Sequence, residues 1–153
     1  MAGQQGPCDT ASPGLLVVSP DILLRSQLPH QPLAIAENRQ LDRSERELVA
    51  WILAQAQASE FLQQLGRARI VSRCGCGCAS VDFNVDGVVA SPGSGMTQVG
   101  DDYYWTAASG GIGGVFVFAR NGRLSGLEVW SVDGVETPSS LPEVKELRNS
   151  PYD

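Results

Sequence analysis

Apolar residues recur along this chain with two different periods, and the period changes at Gly66-Arg67. Before that point Leu48, Val49, Ile52, Leu53 and Ala56 fall three and four residues apart, the spacing that lays a stripe along one side of an α-helix. Phe61, Leu62 and Leu65 resume the stripe, so the pattern predicts one long helix or two helices with a break around Gln57 to Ser59. Asp42-Arg43-Ser44-Glu45 has capping-box spacing: the Asp42 side chain can take the amide of Glu45 while Glu45 reaches back. Gly66 suits the C-terminal stop.

After Gly66 the period becomes two. Ala68, Ile70 and Ser72 alternate with Arg67, Arg69 and Arg73, and later Ala79, Val81, Phe83 and Val85 alternate with Ser80, Asp82, Asn84 and Asp86. The inward parity is even before Cys74 and odd after Cys78. A strand keeps its faces at strict period two, so a turn or bulge must lie between those cysteines, with Gly75 and Gly77 as its pivots. Further strands are predicted at residues 103–108, 114–119 and 124–132, the last two joined by the hairpin signal Asn121-Gly122. Val115 to Phe118 is apolar on both faces and belongs inside the sheet. Residues 87–100, with Pro92-Gly93-Ser94-Gly95, read as a surface loop, and Leu141-Pro142 precedes a short helical turn over Glu143 to Leu147. The sum is an α+β fold: an N-terminal helix or helix pair on one face of an antiparallel sheet of about five strands, in a single domain over residues 41–153.

Residues 1–40 read differently. Gly6-Pro7, Ser12-Pro13-Gly14, Ser19-Pro20, Leu28-Pro29 and Gln31-Pro32 interrupt any long helix or central strand, so this part is expected as an extended or partly disordered arm, with order starting at Leu41. Leu15 to Val18 is too short for a signal-peptide core or a membrane span, and the default address is the cytoplasm. The net charge of −6, with Lys145 as the single lysine, argues against nucleic acid and anionic membrane as partners. A chain of 153 residues can bury a core without metal or disulfide help, so no cofactor is required for folding.

Several ordered segments, Leu41-Asp42-Arg43-Ser44-Glu45-Arg46, Arg73 to Asp82 with its Cys-Gly-Cys-Gly-Cys run and Ser80-Val81-Asp82, Asn121 to Ser131, and Leu141-Pro142, together resemble a family of small uncharacterised bacterial proteins. The resemblance spans about residues 41–142 and implies a capped helical region, a cysteine-glycine run before a strand, and a late strand containing Leu127-Glu128-Val129. It implies no activity, and residues 1–40 lie outside it.

Cys74, Cys76 and Cys78 are the densest candidate chemistry. In a reducing compartment they are expected as thiols or thiolates, and a disulfide within so tight a run would be strained. Thiolates folded onto one point by glycine could hold zinc or a softer ion such as Cu(I), with Cys8, His30 or Glu128 as candidate fourth ligands. The bland alternative is that small polarisable side chains pack a tight bend. Nucleophilic catalysis lacks a base, because His30 sits among prolines in the arm, so no catalytic residue is assigned. Asp82 and Glu128 could act as a hydrolase-like pair or bind a cation, but more simply form the polar side of a half-exposed sheet, with Arg69 and Arg123 as candidate partners for Glu128. The glycine run at residues 109–114 is followed by a strand and carries no Gly-Lys-Ser/Thr, so it is read as a hairpin connection and not as a phosphate loop. Tyr103, Tyr104 and Trp130, with Asp82 and Glu128, make a candidate binding surface; adjacent tyrosines on a strand point to opposite faces, which leaves at least one exposed. The first functional reading is a non-catalytic protein-binding or regulatory module with a protein partner; the alternatives are a thiolate metal or thiol-redox protein using the cysteine run, and a weak hydrolase using Asp82 or Glu128.

Overall fold

The computed structural model describes residues 34–88 and 95–153. The expectations for residues 1–33, including Cys8 and His30, and for the middle of the 87–100 loop fall outside the described residues. The chain runs β1 (Ala34–Gln40), α1 (Arg43–Gln55), α2 (Ser59–Leu65), β2 (Ala68–Cys74), β3 (Val81–Val85), β4 (Met96–Thr106), β5 (Ile112–Arg120), β6 (Arg123–Ser131) and a 3-10 turn at Val144–Glu146. All strand pairs are antiparallel, in the order β1-β2-β3-β6-β5-β4.

The α+β class holds, with two corrections. The sheet has six strands where about five were expected, and the first strand precedes the helices. The added strand is β1, formed by the last residues of the expected extended arm. Its side chains are nearly all exposed or half-exposed, so it has no apolar face and no period-two signal. Charge holds it instead: Glu37 takes Arg73 Nε of β2 at 2.8 Å, and Arg39 forks onto both oxygens of Glu45 at 2.9 Å each. β4 likewise begins at Met96, seven residues before the expected Tyr103, because Met96 to Gly100 carries only one buried residue to mark it.

α1 starts where its capping box predicts. Asp42 Oδ1 accepts from the Glu45 amide at 2.8 Å and Glu45 Oε2 accepts from the Asp42 amide at 2.8 Å. Glu45 therefore caps the helix and anchors β1 at once, which is why this carboxylate is tolerated while almost fully buried. The break between helices falls at Gln57, whose φ is +55°. Leu48, Val49, Ile52 and Leu53 are at most 1% exposed against the sheet, each contributing about 1.5–3 kcal/mol of burial. Gln64 of α2 reaches the β5–β6 hairpin, accepting from the Leu124 amide at 2.7 Å and donating to the Gly122 carbonyl at 3.0 Å. That hairpin turns at Asn121 and Gly122 with φ of +56° and +76°, as the Asn-Gly signal predicts.

The helix-facing side of the sheet is built by Ile70, Val81, Phe83, Val115, Val117, Leu127 and Val129 in one core with the α1 stripe. The opposite side carries aromatic rings. Phe116 lies 5.6 Å from Trp130 and 6.3 Å from Phe118 between centroids, and Tyr104 meets Trp130 edge-on at 6.0 Å. Two strand glycines make room for them: Gly114 lies under the Trp130 ring and Gly126 under Phe118. Burial on both faces of β5 agrees with the expected interior position.

A Cβ on Gly126 would meet Phe118 Cζ at 2.5 Å and the Val81 carbonyl oxygen at 2.7 Å. The ring can swing but the β3 backbone cannot, so Gly126→Ala is expected to destabilise the fold by about 1–3 kcal/mol, as overpacking does. Urea melts of parent and variant read this directly, and equal midpoints would refute the tight β3–β6 contact.

Candidate functional site

The predicted bend lies between β2 and β3. β2 ends at Cys74 and β3 begins at Val81, with Ala68 opposite Val85 and Ile70 opposite Phe83; a register shift between Ile70 and Ser72 then sets Ser72, expected inward, opposite exposed Asp82, so the alternation of β2 already breaks before the cysteines. The bend is pinned from three sides. The Cys74 amide donates to the Ser80 carbonyl at 3.2 Å, and the Ala79 amide donates to the Pro138 carbonyl at 3.1 Å. Buried Ser80 accepts from the Val129 amide at 2.8 Å and returns its hydroxyl proton to the Val129 carbonyl at 3.3 Å, tying the bend to β6. Gly77 takes φ of +93° with open space where a Cβ would stand, so only its backbone conformation demands glycine.

This frame brings the three sulfurs together, each within 4.8 Å of the others. Cys74 and Cys78 are buried and Cys76 is exposed. Cys74 and Cys76 Sγ atoms are 2.7 Å apart, and the amides of Cys76 and Cys78 point to the preceding sulfurs at 3.3 and 3.4 Å. The three sulfurs are unequal in burial, with Cys76 open to solvent between two buried neighbours. Burial pushes the Cys78 thiol up to about 11, against the opposing hydrogen bonds of Ser80, and neighbouring Cys76 adds to the rise. A zinc thiolate shell of radius ~2.3 Å holds its sulfurs roughly 3.8 Å apart, so the group has the right scale once Cys76 swings outward by about 1 Å. Cys76 lies between two glycines at the surface, where that movement is easy. Among the described residues no carboxylate or imidazole joins the sulfurs. Glu128 is not among the residues whose ligand atoms gather there, and Cys8 and His30 lie outside the described residues.

A hollow of about 380 Å³ opens beside Cys78 and Ser80, bordered by Arg39, Arg73, Ser139 and Ser140. Its two guanidinium groups already face Glu37 and Glu45. Neither this hollow nor Ser80 was visible from sequence spacing, because residues from β1, β2, the bend and residues 139–141 meet there only through the fold.

The expected binding surface is divided by the sheet. Tyr103 is 5% exposed and packs edge-on to Trp51 at 5.0 Å in the core, so it is removed from that surface. Tyr104 and Trp130 do come together on the other side, half-buried. Glu128 is half-buried opposite Phe116, and Arg69 donates from Nε to Asn38 Oδ1 at 3.2 Å. Asp82 is exposed opposite Gly126 and accepts the Ser72 hydroxyl at 2.7 Å, as a carboxylate on a solvated face does. No helix among the described residues is long and apolar enough to cross a membrane. No known protein family, curated protein or solved structure matches the chain.

In metal-free protein, Gly77→Val is expected to cost about 1–3 kcal/mol, the range for a side chain forced to positive φ. Cys76→Ser, at an exposed position, should stay within about 0.5 kcal/mol of the parent. Thermal melts in chelator read both, and the reverse order would show that the sulfur and not the backbone sustains the bend. Alkaline pH gives a second check. Because the folded pKa of Cys78 is raised from 9.0 to about 11, the neutral thiol stabilises the fold fully below pH 9 and loses that contribution as pH rises through 11. Burial also raises Tyr103 and Tyr104, whose effect has the same sign. Under reducing conditions Cys78→Ala should therefore lose about 2 kcal/mol less than the parent across this window; identical pH slopes would refute a buried neutral Cys78.

Proposed function

We propose that the protein is a thiolate metal-binding protein that takes a soft d10 cation, Cu(I) in the first place, at Cys74, Cys76 and Cys78. The observation that supports this is the convergence of three sulfurs, all within 4.8 Å, on one glycine-hinged bend. Three thiolates without a described fourth donor suit a trigonal Cu(I) site better than a closed tetrahedral zinc site. All three sulfurs serve only in the reduced state, and ion binding must draw the Cys78 proton off, so affinity should rise with pH.

Titration of fully reduced, anaerobic protein with Cu(I) against a chromogenic competitor is expected to show one ion per chain. Cys76→Ser and Cys78→Ser should each lose more than the roughly 10–100-fold that a change outside the ligand shell causes. Free ion at about 100 times Kd should add about 2.7 kcal/mol to parent stability and nothing to the variants. Parent protein that leaves the ion with the competitor, or serine variants that bind like the parent, would overturn the reading.

A second reading, a non-catalytic protein-binding module, is supported by the half-buried Tyr104 and Trp130 in edge contact on the side of the sheet away from α1 and α2. Such amphipathic rings supply contact area with little side-chain entropy to lose.

A further inference from the structure

A second hollow lies at the other end of α1. The one beside Cys78 is bordered by Asp42 and Ser44 at the start of that helix, whereas this one is bordered by Ala56, its C-cap. Backbone irregularities form it from two sides. Gln57, with φ of +55°, turns the chain out of α1, and facing that break β4 carries Gly100, Asp101 and Asp102 where β5 has only Phe116, because Val99 pairs with Val117 and Tyr103 with Val115. Gly100 takes φ of +85°, and a Cβ there would stand 3.0 Å from Ala56 Cβ, so the bulge closes directly onto the end of the helix. Beside this contact a cavity of about 550 Å³ remains, within the usual size of small-molecule sites.

Its lining carries charge of one sign. Phe61, Val99 and Ala119 supply apolar wall, and the only ionisable side chains that border the cavity are Glu60 and Asp101. Glu37, Glu45, Glu47 and Asp86 each take an arginine, but Glu60 and Asp101 enter no ion pair among the described residues. Burial, and after it the nearby Asp101 charge, raises the Tyr103 hydroxyl, so this carboxylate reaches the side of the sheet on which Tyr103 packs against Trp51 of α1. Two carboxylates beside apolar wall suit a cation that brings its own apolar body better than a bare metal ion, which seeks about six oxygen donors. The half-buried Phe61 ring adds a face that attracts an ammonium group.

We propose that this hollow binds a small primary amine in its ammonium form, with the charge at Glu60 and Asp101 and an alkyl or aryl stem against Phe61, Val99 and Ala119. The site lies ~20 Å along α1 from the bend, since a helix of 13 residues rises about 1.5 Å per residue. It uses none of the cysteines, so it stands or falls separately from the metal reading.

The test titrates isotope-labelled full-length protein with phenethylammonium chloride and follows its amide resonances, with 2-phenylethanol as the uncharged counterpart and 3-phenylpropanoate as the anionic one. Phenethylammonium is expected to give saturable one-site shifts centred on Ala58, Phe61 and Val99, with Kd below about 1 mM and weakening as salt is added. The alcohol should bind at least about fivefold more weakly, and the anion should give no shifts at these amides. Glu60 and Asp101 are exposed, so Glu60→Gln and Asp101→Asn are expected to fold, which melts check, and each should weaken phenethylammonium about 2–5-fold, the range for losing one solvent-accessible ion pair. Shifts that never saturate, shifts that magnesium chloride reproduces, equal affinity for the alcohol, or a folded double variant that binds like the parent would each overturn the proposal.

Discussion

The chain has to reverse direction between β2 and β3 while exchanging the parity of its inward positions, and the rest of the structure depends on how that is done. Ile70 must face Phe83 and Ala68 must face Val85 for both strands to present apolar side chains to α1. A tight two-residue hairpin would keep the register but would bring no part of the turn to β6. The longer bend places buried Ser80 on the Val129 backbone and Ala79 on Pro138, so the turn becomes part of the sheet's interior. The positive φ at Gly77 allows the reversal, and the three sulfurs converge as its geometric consequence. The site is thus held by hydrogen bonds of the backbone and of one serine, which persist whatever the sulfurs bind.

The two edges of the sheet are finished in different ways. β1 contributes little apolar burial and is secured by the chain of charges Arg73–Glu37–Arg39–Glu45. Exposed ion pairs add little, but Glu45 is almost wholly buried and takes Arg39 in a two-pronged contact while capping α1, so its desolvation is offset by three hydrogen bonds. At the other edge, the Arg148 backbone exchanges hydrogen bonds of 2.8 and 2.9 Å with Tyr104, covering part of β4 with the C-terminal segment. The edge beside the cysteines is consequently the more charged one, and Arg73 and Arg39 border the hollow next to Cys78.

What could be read from the sequence followed burial. α1 was legible because Leu48, Val49, Ile52 and Leu53 are buried at helical spacing behind a capping box whose hydrogen bonds are both made. The bend was legible because a parity change cannot be accommodated in a straight strand. β1 was not, because Ala34 to Gln40 packs no apolar face and owes its pairing to charges on partners distant in sequence. The start of β4 was hidden for a related reason, and the bulge between Val99 and Tyr103 breaks its period. Tyr103 and Tyr104 were rightly expected on opposite faces, but period two alone does not say which face is the core; the edge contact with Trp51 of α1 decides it. The cysteine cluster was visible as spacing, whereas the buried state of Cys78, the exposed state of Cys76 and the hydrogen bond from the Cys74 amide to the Ser80 carbonyl required the fold.

The inequality among the three sulfurs sets the order of their chemistry. Cys78 is buried and holds its proton strongly, so it contributes as an ion ligand only when a cation supplies the charge that water cannot. Cys76 is exposed, hinged by glycine on both sides, and is the sulfur that can meet a partner in solution. Cys74 ends a strand and is held there by the hydrogen bond from its amide to the Ser80 carbonyl. A cation held by thiolates needs all three sulfurs reduced, and oxidation of any of them removes one from the set. Capture of a soft ion at this bend is therefore tied to the thiol poise of the surroundings, which sets how many of the three sulfurs are available.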